Sequence, residues 1–134
     1  MHDLANNIKA IQAVVPAAKT ADGASDAIDL AGYKSVVVLL EMGAITDGTW
    51  GMELSECDTA AGTFTAVDNK DLIGLEPTGL ITGDGKGGSA LYAVGYKGSK
   101  RYIVATVKEE VASTTGAVAG ITVLLGHPNH APVA

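Results

Sequence analysis

The run "KSVVVLLEMGAI", Lys34 to Ile45, is the feature that most limits the fold. Its β-branched and aliphatic residues follow one another without the polar alternation of a half-exposed strand, so it predicts a strand buried on both faces. Its strongly apolar centre, Val36 to Leu40, is far shorter than the roughly 20 residues a bilayer span requires, and no membrane partner is expected. Around it lie further short strand patterns, "AIDL", "TWGMELSEC", "TFTAV" and "AVAGITVLLG", separated by turn signals such as Asp22-Gly23, Asp47-Gly48 and "DTAAG". Asp47-Gly48 reads as a hairpin turn. With no long helical pattern, the expected fold is all-β: an antiparallel, jelly-roll-like β-sandwich with a short N-terminal arm and a C-terminal tail. The divisions are residues 1–25 for the arm and loop, 26–126 for the sandwich and 127–134 for the tail. In the arm, Leu4, Ile8, Ile11 and Val15 share a helical face, while "IKAIQAVV" also alternates as a strand, and Pro16 stops any helix.

The stretch "LYAVGYKGSKRYIVATV" holds three of the four tyrosines and three of the nine basic residues of a chain whose net charge is -6. Gly98-Ser99 suits a type II′ turn, which would set Gly95 opposite Tyr102 and Tyr96 opposite Arg101 in a hairpin apolar on both faces. Lys97, Lys100 and Arg101 would then gather at the tip, beside acids of the same or a neighbouring chain. "KGSKRYIV" has the look of an RNA-reading signature, but the acidic total and the inward-facing Tyr92 and Tyr96 argue against nucleic acid as a partner.

At 134 residues the chain is sized for one domain. Hydrophobic residues make up 47% and charged ones only 18%, so little charge is available to coat the surface. That balance favours assembly over a free monomer. The N-terminus has an acid and no basic cluster before its apolar residues, so export by a secretory signal is not expected. The single cysteine, Cys57, cannot form an internal disulfide.

No catalytic constellation can be assembled from the sequence, and no enzyme activity, metal or cofactor is expected. "TGDGKGGS" has Leu80 and Gly87 where a phosphate loop needs Gly and Ser or Thr. His127 and His130 in "HPNH" make only two ligands, and the thiol in "SECD" lies between acids with no nearby histidine. Asp68 with Asp71, and Glu109 with Glu110, lack the spacing of a calcium loop. The connection from Asp68 to Ser89 carries the apolar anchors Leu72, Ile73, Leu75, Leu80 and Ile81 among polar residues. A mix of this kind suits a segment that orders on another molecule.

In order, "IDLAGYKSVVVLLEMG", "ELSECDTAAGTFTAV", "LYAVGYKGSKRYIVATV" and "LLGHPNHAPV" resemble small virion proteins of tailed bacteriophages, of the kind that decorate or cement the capsid. The resemblance spans Ile28 to Val133, and "GYKGSKRYI" is its most specific piece. It implies a β-rich, non-catalytic protein made in the bacterial cytoplasm that binds the major capsid protein on the outside of the head. It also implies self-association, with a trimer favoured. The expected contact residues are Lys97, Lys100 and Arg101, Leu75, Leu80 and Ile81, and Pro128 and Pro132 of the tail. A tail or neck component of the same particle, and a carbohydrate-binding sandwich using Trp50 and Phe64, are the alternatives.

Overall fold

The computed structural model describes residues 3–81 and 90–130. In chain order the strands are β1 (Ile8–Lys19), β2 (Gly23–Ala24), β3 (Ile28–Asp29), β4 (Tyr33–Ile45), β5 (Thr49–Cys57) and β6 (Thr65–Ala66). After a single 3-10 turn at Asn69–Asp71 come β7 (Leu72–Ile73), β8 (Ala90–Tyr96), β9 (Tyr102–Val111) and β10 (Ala117–Pro128). One antiparallel sheet runs β1-β10-β4-β8-β7 and the other β2-β9-β5-β6, with β3 also on β9. No helix of the described residues is long and apolar enough to cross a membrane.

Alternation along each strand builds the core, because successive side chains point to opposite faces. Val38, Leu40 and Met42 of β4, Val94 and Tyr96 of β8, and Ile121, Val123 and Leu125 of β10 form one wall. Trp50, Met52 and Leu54 of β5 with Ile103, Ala105 and Val107 of β9 form the other. All are buried, and each large aliphatic side chain contributes about 1.5–3 kcal/mol on leaving water.

The strand order is that of a jelly roll. If β2 and β3 are taken as one interrupted strand and the two-residue β7 is set aside, the two sheets are four strands each. Only the β5–β6 link then joins neighbours in one sheet, and every other connection crosses from sheet to sheet. This overturns two expectations from turn chemistry. Asp47-Gly48 does not close a hairpin: β4 lies in the first sheet and β5 in the second. Gly98-Ser99 likewise sits in a crossing between β8 and β9, so Gly95 does not face Tyr102. Gly95 instead pairs with Val37 and Ile73, and Tyr102 with Asp29 and Cys57. Arg101 stacks on Tyr102 at 5.2 Å, not on Tyr96.

The N-terminal arm is likewise an integral strand from Ile8 to Lys19, paired along β10. Pro16 is tolerated there because β1 is an edge strand and its register slips between Val14 and Ala17. Opposite it, Gly120 leaves room for the ring, since a Cβ at that position would lie 2.8 Å from Pro16 Cγ.

Bare backbone at Gly95 is covered by Ile73, whose Cβ would stand 2.9 Å from any Cβ placed on Gly95. Gly95→Val is expected to overpack this contact and destabilise the fold by about 1–3 kcal/mol, measured by denaturant unfolding. Ile73→Ala in the same background should recover part of the loss, whereas a Gly95–Tyr102 contact would leave it unchanged.

Candidate functional site

Two surfaces stand out, a basic corner and an apolar sheet face. The corner is built on Tyr96. Its phenol donates to the Glu56 carboxylate across the sandwich at 2.6 Å and accepts from the Lys100 amide at 3.2 Å. The crossing strap folds over the ring, and a Cβ at Gly98 would fall 2.4 Å from the phenol oxygen. Burial, reinforced by the bond to Glu56, pushes the Tyr96 hydroxyl well above its usual range, so it remains a donor at all physiological pH.

This strap presents the basic residues singled out in the sequence. Lys100 Nζ lies 3.0 Å from Asp58, and Arg101 makes a two-pronged pair with Asp29, both bonds at 2.9 Å. Lys97 is exposed, and its amide donates to the Asp71 carbonyl at 2.8 Å. Acids of the same chain therefore answer two of the three charges. Lys34 joins them to line a cleft of about 380 Å³ with Tyr33 and Tyr96. Lys34 lies more than 60 residues away in sequence, so no local pattern pointed to it.

The apolar anchors separate. Leu80 is a core residue, only 2% exposed, and exchanges both backbone hydrogen bonds with Trp50 at 2.9 Å, so it is not available as a contact. Its segment covers the edge of β5 that the short β6 leaves open, with the Pro77 carbonyl accepting from Met52 and the Glu76 carboxylate from the Leu54 amide. Leu72 is buried too. Leu75, at 76%, and Ile81 are exposed. Pro128 ends β10 opposite Tyr33. Pro132, with residues 131–134 of the tail, and "TGDGKGGS" lie outside the described residues.

The second surface is the outer face of the first sheet, and its rows follow from the pairing. Ala10, Leu124, Val37, Gly95 and Ile73 form one row across all five strands, with no polar side chain. The next row is Gln12, Thr122, Leu39 and Ala93, followed by Gly120, Glu41 and Leu91. Ile73 and Leu91 are each 62% exposed. Glu41 is the only charge in these rows. The outer face of the second sheet is different, with Glu53 beside Thr106, Ser55 beside Val104, and Lys108 beside Gly51. That face has the polar alternation of a solvated sheet, and the first sheet lacks it.

Ser35 Oγ meets His127 Nδ1 at the edge of the apolar rows, a contact that sequence reasoning did not anticipate. Among the described residues no carboxylate bonds the other ring nitrogen, so the pair has no orienting third member. No group of three metal-ligating side chains occurs among the described residues.

The class defined by this geometry is an antiparallel jelly-roll β-sandwich. No protein-family model matches the chain, and no curated protein matches it in sequence. Among solved structures it is similar to the crystal structure of the SPBc2 prophage-derived protein YomS. The TM-score is 0.42 at 14% identity, covering 89% of this chain and 92% of that one.

Two outcomes test the corner chemistry. Tyr96→Phe removes the acceptor of the Lys100 amide and the donor to Glu56, and it should cost about 1–2 kcal/mol in chemical denaturation. Acid should weaken the fold through Asp29, whose carboxyl the Arg101 guanidinium and the Ala31 amide hold down at about 2, against an ordinary 3.8. A lowered folded-state value stabilises above the unfolded one and is lost as pH falls through the folded one. The melting temperature should therefore fall between about pH 4 and pH 2. Asp47 adds to the same loss, because the amides of Gly116, Thr114 and Thr115 hold it low. Glu76 runs oppositely: burial raises its carboxyl, and its cost is relieved in acid. Asp29→Asn should flatten the acid limb relative to the parent.

Proposed function

We propose that the chain is a non-enzymatic structural protein of a tailed-phage virion, bound to the outside of the capsid as a decoration or cement protein. The observation that carries the reading is the largely apolar outer face of the first sheet, a surface suited to association with other protein, a second copy included, while the exposed Lys97, Leu75 and Ile81 lie free for the shell. The fold alone does not select a function. The sequence resemblance to phage decoration proteins, centred on "GYKGSKRYI", supplies the particle. A shell under internal pressure gains stability from any subunit that binds only the assembled form, without a reaction taking place.

In this reading the major capsid protein is the partner, the protein associates with itself, and nucleic acid is not bound. Tyr96 is buried and Tyr92 packs against the core, which takes two of the three tyrosines of "LYAVGYKGSKRYIVATV" away from a stacking role. The free contact points toward the shell are Lys97, Leu75 and Ile81, with the end of β10 at Pro128. A sugar-binding role loses support because Trp50 is fully buried, its indole N–H donating to the Asp47 carbonyl at 3.0 Å. A tail or neck position in the same particle is the second reading, since it asks for the same surfaces.

Cryo-electron microscopy of particles from the phage or prophage that encodes the chain tests this directly. Density for the sandwich on the head exterior is expected. Density on the tail or neck selects the second reading, and particles that lack the protein altogether sink both. Deleting residues 129–134 and, separately, replacing Leu75 with Asp should lower head occupancy without changing the melting temperature by more than a few degrees.

A further inference from the structure

The outer face of the first sheet is largely apolar, with Gln12, Thr122 and Glu41 its polar residues, and among the described residues the second sheet packs only on the inner face. Its run of outward side chains, Leu124, Val37, Leu39, Ala93 and Leu91, is continuous through the β-ladder, and only Glu41 adds a charge. Four strands about 4.8 Å apart, with seven residues from Ser35 to Glu41 rising about 3.3 Å each, and the two-residue β7 beside them give a footprint on the order of 475 Å². Two such footprints with flanking Leu4 total roughly 1,000 Å², the threshold for a biological contact and the range of a weak, reversible one. A largely apolar face of this size matches the largest patch that a monomer ordinarily exposes, and such patches are often functional.

We propose that it is covered by the same face of a second copy, sheet on sheet, about a two-fold axis running across the strands. Aligned sheets pack about 10 Å apart through side chains of this kind. Charge selects the axis. A two-fold parallel to the strands would bring the Glu41 ends of the two copies together, like charge near like charge. The axis across the strands sets Glu41 of each copy over the Ser35–His127 end of the other, where a hydroxyl and an imidazole stand beside an apolar groove of about 250 Å³ lined by Leu4, Ile8 and Leu124. Such a contact is isologous and closes at two copies, in place of the trimer that the sequence resemblance favours.

The dimer deepens the self-association in the reading above, and the two can fail separately. Sedimentation of the full chain from about 1 to about 200 µM should show a monomer–dimer equilibrium with a micromolar dissociation constant. Leu124→Glu should weaken it at least about tenfold, while Val111→Glu, at an exposed apolar position on the other sheet, should leave it within about twofold. If Leu124→Glu does not fold by circular dichroism, methyl resonances of the parent decide. Those of Val37, Leu39 and Leu124 should move with concentration while those of Val111 stay. A monomer throughout the range, a trimer, or a dimer indifferent to folded Leu124→Glu overturns the proposal. A monomer that still occupies phage heads removes the dimer and leaves the decoration reading. A dimer absent from virions does the reverse.

Discussion

Everything in the sandwich depends on the register of two strands that come late in the chain. β10 lies between β1 and β4, and β9 between β2/β3 and β5, so neither sheet is joined up until residues beyond 100 are in place. The row Ile11, Val123, Val38 and Val94 shows what is at stake. A slip of one residue would turn these four side chains outward and carry Thr122 and Leu39 into the core. The inner wall disfavours such an exchange, because it would return four apolar side chains to water and bury the Thr122 hydroxyl without a partner, which alone costs about 1–3 kcal/mol. Sequence-distant pairing of this kind also makes folding slow relative to a hairpin-rich sheet of similar size.

The corners fix the register at both ends. At one, the Asp47 carboxylate accepts from the amides of Thr114, Thr115 and Gly116, tying the β4–β5 crossing to the β9–β10 crossing. At the other, Tyr96 spans the sheets to Glu56 while the strap from Lys97 to Arg101 turns around its ring. The ion pairs of Lys100 and Arg101 brace that strap against Asp58 and Asp29. Being exposed, each is worth little alone, and the strap's position owes more to the packing of Tyr96.

Strand character and the sandwich class were legible in the sequence, because alternation and β-branched runs report burial directly. "KSVVVLLEMGAI" became β4, but only one of its faces is buried: Val38, Leu40 and Met42 lie in the core, whereas Val37 and Leu39 on the other face are half-buried and Glu41 is exposed, because the second sheet packs on one side alone. The turns misled for a physical reason: Asp-Gly and Gly-Ser favour tight backbone reversal whether the chain returns to its own sheet or passes to the opposite one. What decides is the partner of the next strand, and for β9 those partners begin at Gly23 and Thr49, far from Gly98 in sequence. The ambiguity of "IKAIQAVV" has the same origin, since β10 makes it a strand from more than 100 residues away. Leu80 looked like a loop anchor and is core because Trp50 needs an edge partner. Lys34 and the Ser35–His127 contact left no local signal at all.

β1 carries a further meaning. It is the edge of the apolar sheet, where unpaired amides and carbonyls would invite another strand to add. Pro16 removes one of those donors, its ring resting over Gly120, and Lys9 and Lys19 place charge near the two ends of the strand. A sheet that offers its face but blunts its edge can stick to a neighbour without templating a ribbon. A blunted edge beside an open face separates a finite assembly from a fibre.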